Sequence, residues 1–309
     1  MAGNCDDGFG RRGSGNRQTK CTGEERCAVK SRRSKRYMKD VSFHVLALGS
    51  YTWEMSAYSG QHNQQYKDVG RMEWQPPEGM NDYLKATRLC DCDDVKLKEK
   101  AKEIVGSAKN QEEAALRIFH FVRDKLLFGI NYPDTKASKM LNKRIGFCMT
   151  KTNLHMALLR AVDIPSRCHL VELPRELFKN IMPKFMYAKL PATQAHPWCD
   201  CYLSGKWISC EALYEDSFYK TIMKTGIFTE EEMPTIDWDG KTDLILNTPW
   251  FVKDYGTFAS WDDAMTEVKK SEAGMPPTNR IFGWLLLSMI NRNIDAIRLG
   301  QHAAQQPTQ

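Results

Sequence analysis

The chain has 309 residues, of which 42% are hydrophobic, and a formal charge of +6. That length allows one large domain or a domain with extensions, and so small a charge does not by itself mark a nucleic-acid binder. The longest apolar run, 281–290, falls short of the roughly 20 residues that a membrane-spanning helix needs.

Residues 1–40 are rich in Gly, Ser, Arg and Lys and nearly lack apolar side chains. Such a segment cannot recover its ordering entropy by burial, so a disordered basic tail is expected. It ends in Lys30, Arg32, Arg33, Lys35, Arg36 and Lys39. This cluster reads first as a solvated charge run and second as a nuclear-import or polyanion-binding patch. No apolar leader precedes it, so a cytoplasmic protein with reduced thiols is expected, with nuclear entry open through the cluster. Cys5, Cys21 and Cys27 lack regular spacing and belong to the tail. Residues 41–48 alternate like a strand, and 50–79 are aromatic and turn-rich. Together 41–82 read as an N-terminal extension.

The core is expected over 83–220. Asp93 or Asp94 caps a helix running to Val105 and stopped at Gly106. Asn110 and Glu113 have capping-box spacing and open a second helix, whose core face is Ala115, Ile118, Phe119, Val122 and Leu126. His120 lies off that stripe and reads as exposed. After Pro133-Asp134 and a short segment at 138–143, Gly146 makes a sharp turn. A helix then begins at or just after Cys148 and stops before Pro165. Its Leu154, Leu158, Leu159 and Val162 recur at helical spacing, predicting one buried face. Cys148 therefore sits at the positive end of a helix, where unpaired N–H groups and the macrodipole favour a thiolate.

A strand over 167–173 and a helical stretch over 175–187, interrupted by Pro183, follow. Two apolar-rich runs then flank Ser204-Gly205 and read as a β-hairpin. His196 stands just before its first strand and Glu211 at the end of its second. In an antiparallel pair those positions share one end and can meet. Cys199, Cys201 and Cys210 alternate along the hairpin, a pattern that fills a strand face; Cys90-Asp-Cys92 is too closely spaced for a zinc knuckle. No metal or cofactor is expected. Residues 221–309 read as a helical extension packed on the core. It includes a helix near 261–270 and a final helix from Asn279 to Leu299, capped by Thr278. The stripe of Ile281, Trp284, Leu285, Ile294 and Ile297 is expected to pack on the body, with a membrane-surface helix as the second reading.

A thiol at a helix start needs a general base, and the base needs an orienting group. Cys148, His196 and Glu211 fit that scheme. The run Gly146-Phe-Cys148, with its apolar helix ending Leu-Leu-Arg-Ala-Val-Asp-Ile-Pro-Ser-Arg, resembles the core of the transglutaminase-like superfamily. So do His196-Pro-Trp with its alternating strand and the Gly-Lys-Trp-Ile step before the acidic position. The resemblance spans 83–216. It implies an α+β, papain-like fold in which a helix carrying the nucleophile packs on an antiparallel sheet. It also implies acyl transfer or amide hydrolysis through a Cys148 thioester, with His196 as base. The substrate would be a peptide, isopeptide or small amide, and the acceptor an amine or water. Two departures stand out: Glu211 replaces the usual aspartate, and Pro197 follows the histidine. Asp200 and Asp216 are the alternative carboxylates. A catalytically silent module that binds partners is the competing reading.

Overall fold

In the computed structural model, which describes residues 74–301, polar side chains close the first turns of the two leading helices. The basic tail, the expected strand at 41–48 and residues 50–73 lie outside the described residues. Asp94 caps α1 (Val95–Val105) by accepting the Leu97 N–H at 3.1 Å. Asn110 caps α2 (Gln111–Lys125) by accepting the Glu113 N–H at 2.8 Å. The Glu113 carboxylate reaches back to the Lys109 N–H, one residue earlier than a standard capping box would place it. The predicted face of α2 is buried, from Ala115 to Leu126, and His120 stays partly exposed near Asp124.

The chain leaves α2 through β1 (Leu127–Phe128), which pairs in parallel with β2 (Ile145–Gly146). Between them lies the short α3 (Ala137–Met140). β2 delivers the chain directly to α4 (Cys148–Arg160). Gly146 is obligatory on packing grounds, since an added Cβ would stand 2.8 Å from Cγ of Lys151. At the far end of α4, Asp163 adopts φ 61° and turns the chain before Pro165.

The main sheet has four antiparallel strands in the order β5-β4-β3-β6, with β3 spanning Ser166–Pro174, β4 Thr193–Leu203, β5 Lys206–Ser209 and β6 Lys253–Phe258. α4 packs on β4 and β3 and against α1, α2 and α3. The sequence pattern predicted one buried face for α4, but every residue from Met149 to Arg160 is buried. A helix enclosed on all sides must bond its polar groups internally. Asn153 donates to Leu89 O, Lys151 to three carbonyls, and Arg160 to Lys85 O and Ser166 O.

β3 is followed by a 3-10 turn (Arg175–Phe178) and α5 (Lys184–Tyr187), matching the expected interrupted helical stretch. β6 lies within the span read as a helical extension, so that span also contributes a strand to the core sheet. It further carries α6 (Asp216–Lys224, beginning just before it), α7 (Trp261–Lys270) and α8 (Arg280–Arg298). Asn279 caps α8, one residue beyond the expected Thr278. Ile294 and Ile297 are buried as predicted, but Ile281, Trp284 and Leu285 are 74%, 61% and 52% exposed. The stripe packs only through its second half, where Arg298 meets the buried Glu215 at 2.8 Å. Among the described residues no helix is long and apolar enough to cross a membrane.

Candidate active site

Cys148 is the first residue of α4, with the extended Phe147 as N-cap. The Phe147 N–H donates to Thr150 Oγ1 at 3.2 Å, fixing the entry of the chain. The Cys148 N–H has no partner within the helix, because the first turn of any α-helix lacks preceding carbonyls. Thiol and free N–H thus share the positive end of a buried dipole. Cys148 is partly exposed, whereas the six other described cysteines are buried.

His196 lies within β4 rather than before it, opposite Val171 of β3. Extending the β4–β5 register two residues past Ser209 places Glu211 diagonal to His196 on the same face. There His196 Nε2 meets Glu211 Oε1 at 2.9 Å, with both side chains almost fully buried. The Cys148 thiol is also the ring's neighbour and favours its charged form. With Nε2 given to Glu211, Nδ1 is the nitrogen left for the sulfur. Burial opposes charge on the ring, but the Glu211 carboxylate and the Cys148 contact overcome it and raise His196 to about 10. Glu211 is itself held on both oxygens: Oε2 accepts the Leu246 N–H at 2.7 Å, and Oε1 accepts Asn247 Nδ2 at 3.3 Å. Asn247 Nδ2 also stands 3.5 Å from His196 Nε2.

The alternative carboxylates are elsewhere. Asp200 accepts from Arg167, Trp198 and Ser209, and Asp216 is exposed and pairs with Lys220. Pro197 is accommodated by the sheet. The Ala195 N–H and the Cys199 carbonyl bond on the side of β4 away from β3, so the missing N–H of Pro197 falls on that side too. β5 begins to pair only at Asp200, so Pro197 interrupts no ladder there.

Residues 98–212, the span that holds Cys148, His196 and Glu211, match the family model of the transglutaminase-like superfamily. This segment is similar to a transglutaminase-like core. A solved structure from Cytophaga hutchinsonii, described as a candidate cysteine protease, resembles the chain at 19% identity and a TM-score of 0.40. That likeness covers 61% of this chain and 50% of the other, so the match spans half the length of that protein. No curated protein matches significantly.

Two residues near the cleft that sequence reading did not single out lie beyond the matched span. Asn247 comes from an irregular segment 51 positions after His196, where no periodicity marks it. Tyr214 lines a pocket of about 40 Å³ together with Cys148, His196 and Asn247. Burial and the nearby Glu211 raise its phenol, so it remains a hydrogen-bond donor.

Where α4 meets the sheet, a ring nitrogen of His155, Cys199 Sγ and Cys210 Sγ lie within 4.8 Å of one another. The sequence pattern read these thiols as strand-face filling, and the structure adds a buried histidine to them. Their donor types could hold a soft metal ion. As free groups they are neutral, because burial raises Cys199 and Cys210 and lowers His155 to about 3. Lys151, one turn after Cys148, is lowered to about 7 by burial, although Glu215 and Asp124 pull the other way. Its Nζ donates to Arg123 O, Leu126 O and Leu213 O at 3.0, 2.8 and 2.7 Å.

Proposed function

We propose that this domain is a cysteine enzyme that transfers or hydrolyses acyl groups through a thioester on Cys148. The observation that carries this reading is the chain of contacts from Glu211 through His196 to the Cys148 thiol. A protonated His196 beside the sulfur stabilises the thiolate, the form that attacks carbonyl carbon. As the S–C bond forms, negative charge moves to the carbonyl oxygen, where the Cys148 N–H is the nearest backbone donor. Collapse of the tetrahedral adduct breaks the C–N bond, and His196 gives its proton to the departing amine. The neutral ring then takes a proton from water or a second amine, which attacks the thioester and frees Cys148. Glu211 acts on the ring alone: it fixes the tautomer and balances the charge. An amide, either peptide, isopeptide or small molecule, is the donor class.

Incubation with p-nitrophenyl acetate followed by intact-protein mass spectrometry tests this. One acetyl group is expected, mapped to Cys148 and absent from Cys148→Ser. A folded protein that gains no acetyl group, or gains it equally in Cys148→Ser, would favour the silent binding module.

A further inference from the structure

The pocket at the nucleophile opens into a much larger groove. It has a volume of about 360 Å³ and runs from Cys148 between α5 and the exposed half of α8. That is within the usual size range of small-molecule sites. Its walls include Phe147, Met149, Ile181, Met186, Leu190 and Leu286. The smaller pocket that holds His196 and Asn247 shares Phe128, Ile130, Phe147 and Cys148 with it, so the two are continuous at the sulfur.

The polar groups along this groove decide what it can hold. An extended peptide carries an N–H and a C=O at every residue and needs partners for them once water is excluded. Here several of those partners are already engaged, although among the described residues the Met275 backbone and the Cys148 N–H at the sulfur are not. The Phe128 N–H is bonded to Glu215, and the Ile130 N–H and C=O to Asn291. The Ala195 and Gly274 N–H groups bond Gly274 O and Thr193 O. Gln194 spends its amide nitrogen on Pro191 O and Thr193 O. Lys189, exposed at the rim, is the charged side chain of the lining. A peptide backbone would therefore find few partners along the groove, whereas a hydrocarbon chain asks only for apolar area. The rim continues the theme. Phe185 is 54% and Leu286 37% exposed at the mouth, and Ile281, Phe282, Trp284 and Leu285 extend an apolar surface along α8.

We propose that the groove holds the hydrocarbon tail of the acyl donor, so that the substrates are fatty-acyl amides rather than peptides. This rests on the thioester reading above. With the tail along the groove, the acyl carbonyl lies at Cys148. The sulfur bonds the carbonyl carbon as the C–N bond breaks, the amine leaves with the proton from His196, and a fatty-acyl thioester remains.

The test compares acylation of Cys148 by p-nitrophenyl octanoate and p-nitrophenyl acetate, read as nitrophenolate release and as adduct mass. The six additional methylenes should make octanoate react about tenfold faster or more, and Leu286→Asp should cut the octanoate-to-acetate rate ratio by about tenfold. Equal rates for the two esters, or an unchanged ratio in Leu286→Asp, overturn the proposal while leaving the thioester reading intact. Faster reaction with a phenylalanyl peptide ester than with octanoate also overturns it, in favour of a peptide groove. If neither ester acylates Cys148, the thioester reading fails. Calorimetric binding of octanamide to Cys148→Ala then judges the groove alone: saturable binding lost in the double variant with Leu286→Asp supports it, and no binding overturns it.

Discussion

At the scale of single residues, the proposed mechanism gives the three side chains at the cleft different duties, and substitution should separate them. Removing the base should cost most: His196→Ala is expected to lower Cys148 acylation by about 10²–10⁴-fold. Glu211→Gln keeps the size of the side chain but loses the charge that holds His196 protonated, and a loss of about 10²-fold is expected. Asn247→Ala removes a 3.3 Å hydrogen bond to the carboxylate, which corresponds to about a tenfold effect. Asp216→Asn, at an exposed pair with Lys220, should change the rate by less than about twofold. Initial acylation rates of the four variants with one ester provide the ranking. A larger loss in Asp216→Asn than in Glu211→Gln would reassign the orienting role.

At the scale of elements, the position of Cys148 depends on how β2 enters α4. Gly146 and Lys151 act together there, since the lysine stem fills the space a Cβ would need while its ammonium ties α2 to the segment after β5. Gly146→Ala is expected to destabilise the protein by about 1–3 kcal/mol through overpacking. Lys151→Met frees the buried charge but leaves three carbonyls without their donor, for a net loss of about 3 kcal/mol. Urea midpoints at constant slope measure both. An unchanged midpoint in Lys151→Met would mean that the three bonds contribute no net stability. α8 divides in the same physical terms. Its second half is fixed by Ile294, Ile297 and the Arg298–Glu215 pair, and its first half offers apolar side chains to solvent beside the groove.

At the scale of the whole molecule, buried ionisable groups set the pH response. His155 is neutral when folded because burial and Lys151 lower it from 6.5 to about 3. The unfolded chain therefore binds the extra proton first, and stability present above pH 6.5 is lost as pH falls towards 3. Between pH 6.5 and 5 the loss should reach about 2 kcal/mol. His196 works in the opposite sense: raised to about 10, it contributes stability that is complete below pH 6.5 and lost by pH 10. Lys151, lowered to about 7, gives stability that grows from pH 7 towards 10.5. The last two oppose each other, so urea midpoints should stay nearly level from pH 7 to 10 and fall below 6.5. His155→Leu should remove most of that fall, and its persistence would place the acid sensitivity elsewhere.

Much of this arrangement was legible in the chain itself. The caps Asp94 and Asn110, the hairpin that brings His196 to Glu211, and the start of α4 at Cys148 all rest on local chemistry acting over a few residues. The sharp turn expected at Gly146 is instead strand β2, held by its pairing with β1. What was hidden depends on distant partners. Asn247 reaches the site from an irregular segment, and β6 joins the sheet from beyond the expected core. Lys151, Asn153 and His155 stand outside the apolar stripe that predicted one buried face, but α1, α2 and the sheet enclose α4 completely. The exposed half of α8 looked like core for the converse reason: apolar spacing shows that a face is sticky without showing what covers it.

The central claim is that Cys148 is a nucleophile made reactive by His196 and Glu211. The rate of Cys148 alkylation by iodoacetamide, resolved by peptide mass spectrometry across pH 5 to 8, tests it most directly. With His196 holding its proton throughout that range, alkylation at pH 6 should be at least about tenfold faster than in His196→Ala, whose rate should climb with pH like that of an ordinary thiol. Equal rates and the same pH dependence in the two proteins would contradict the claim.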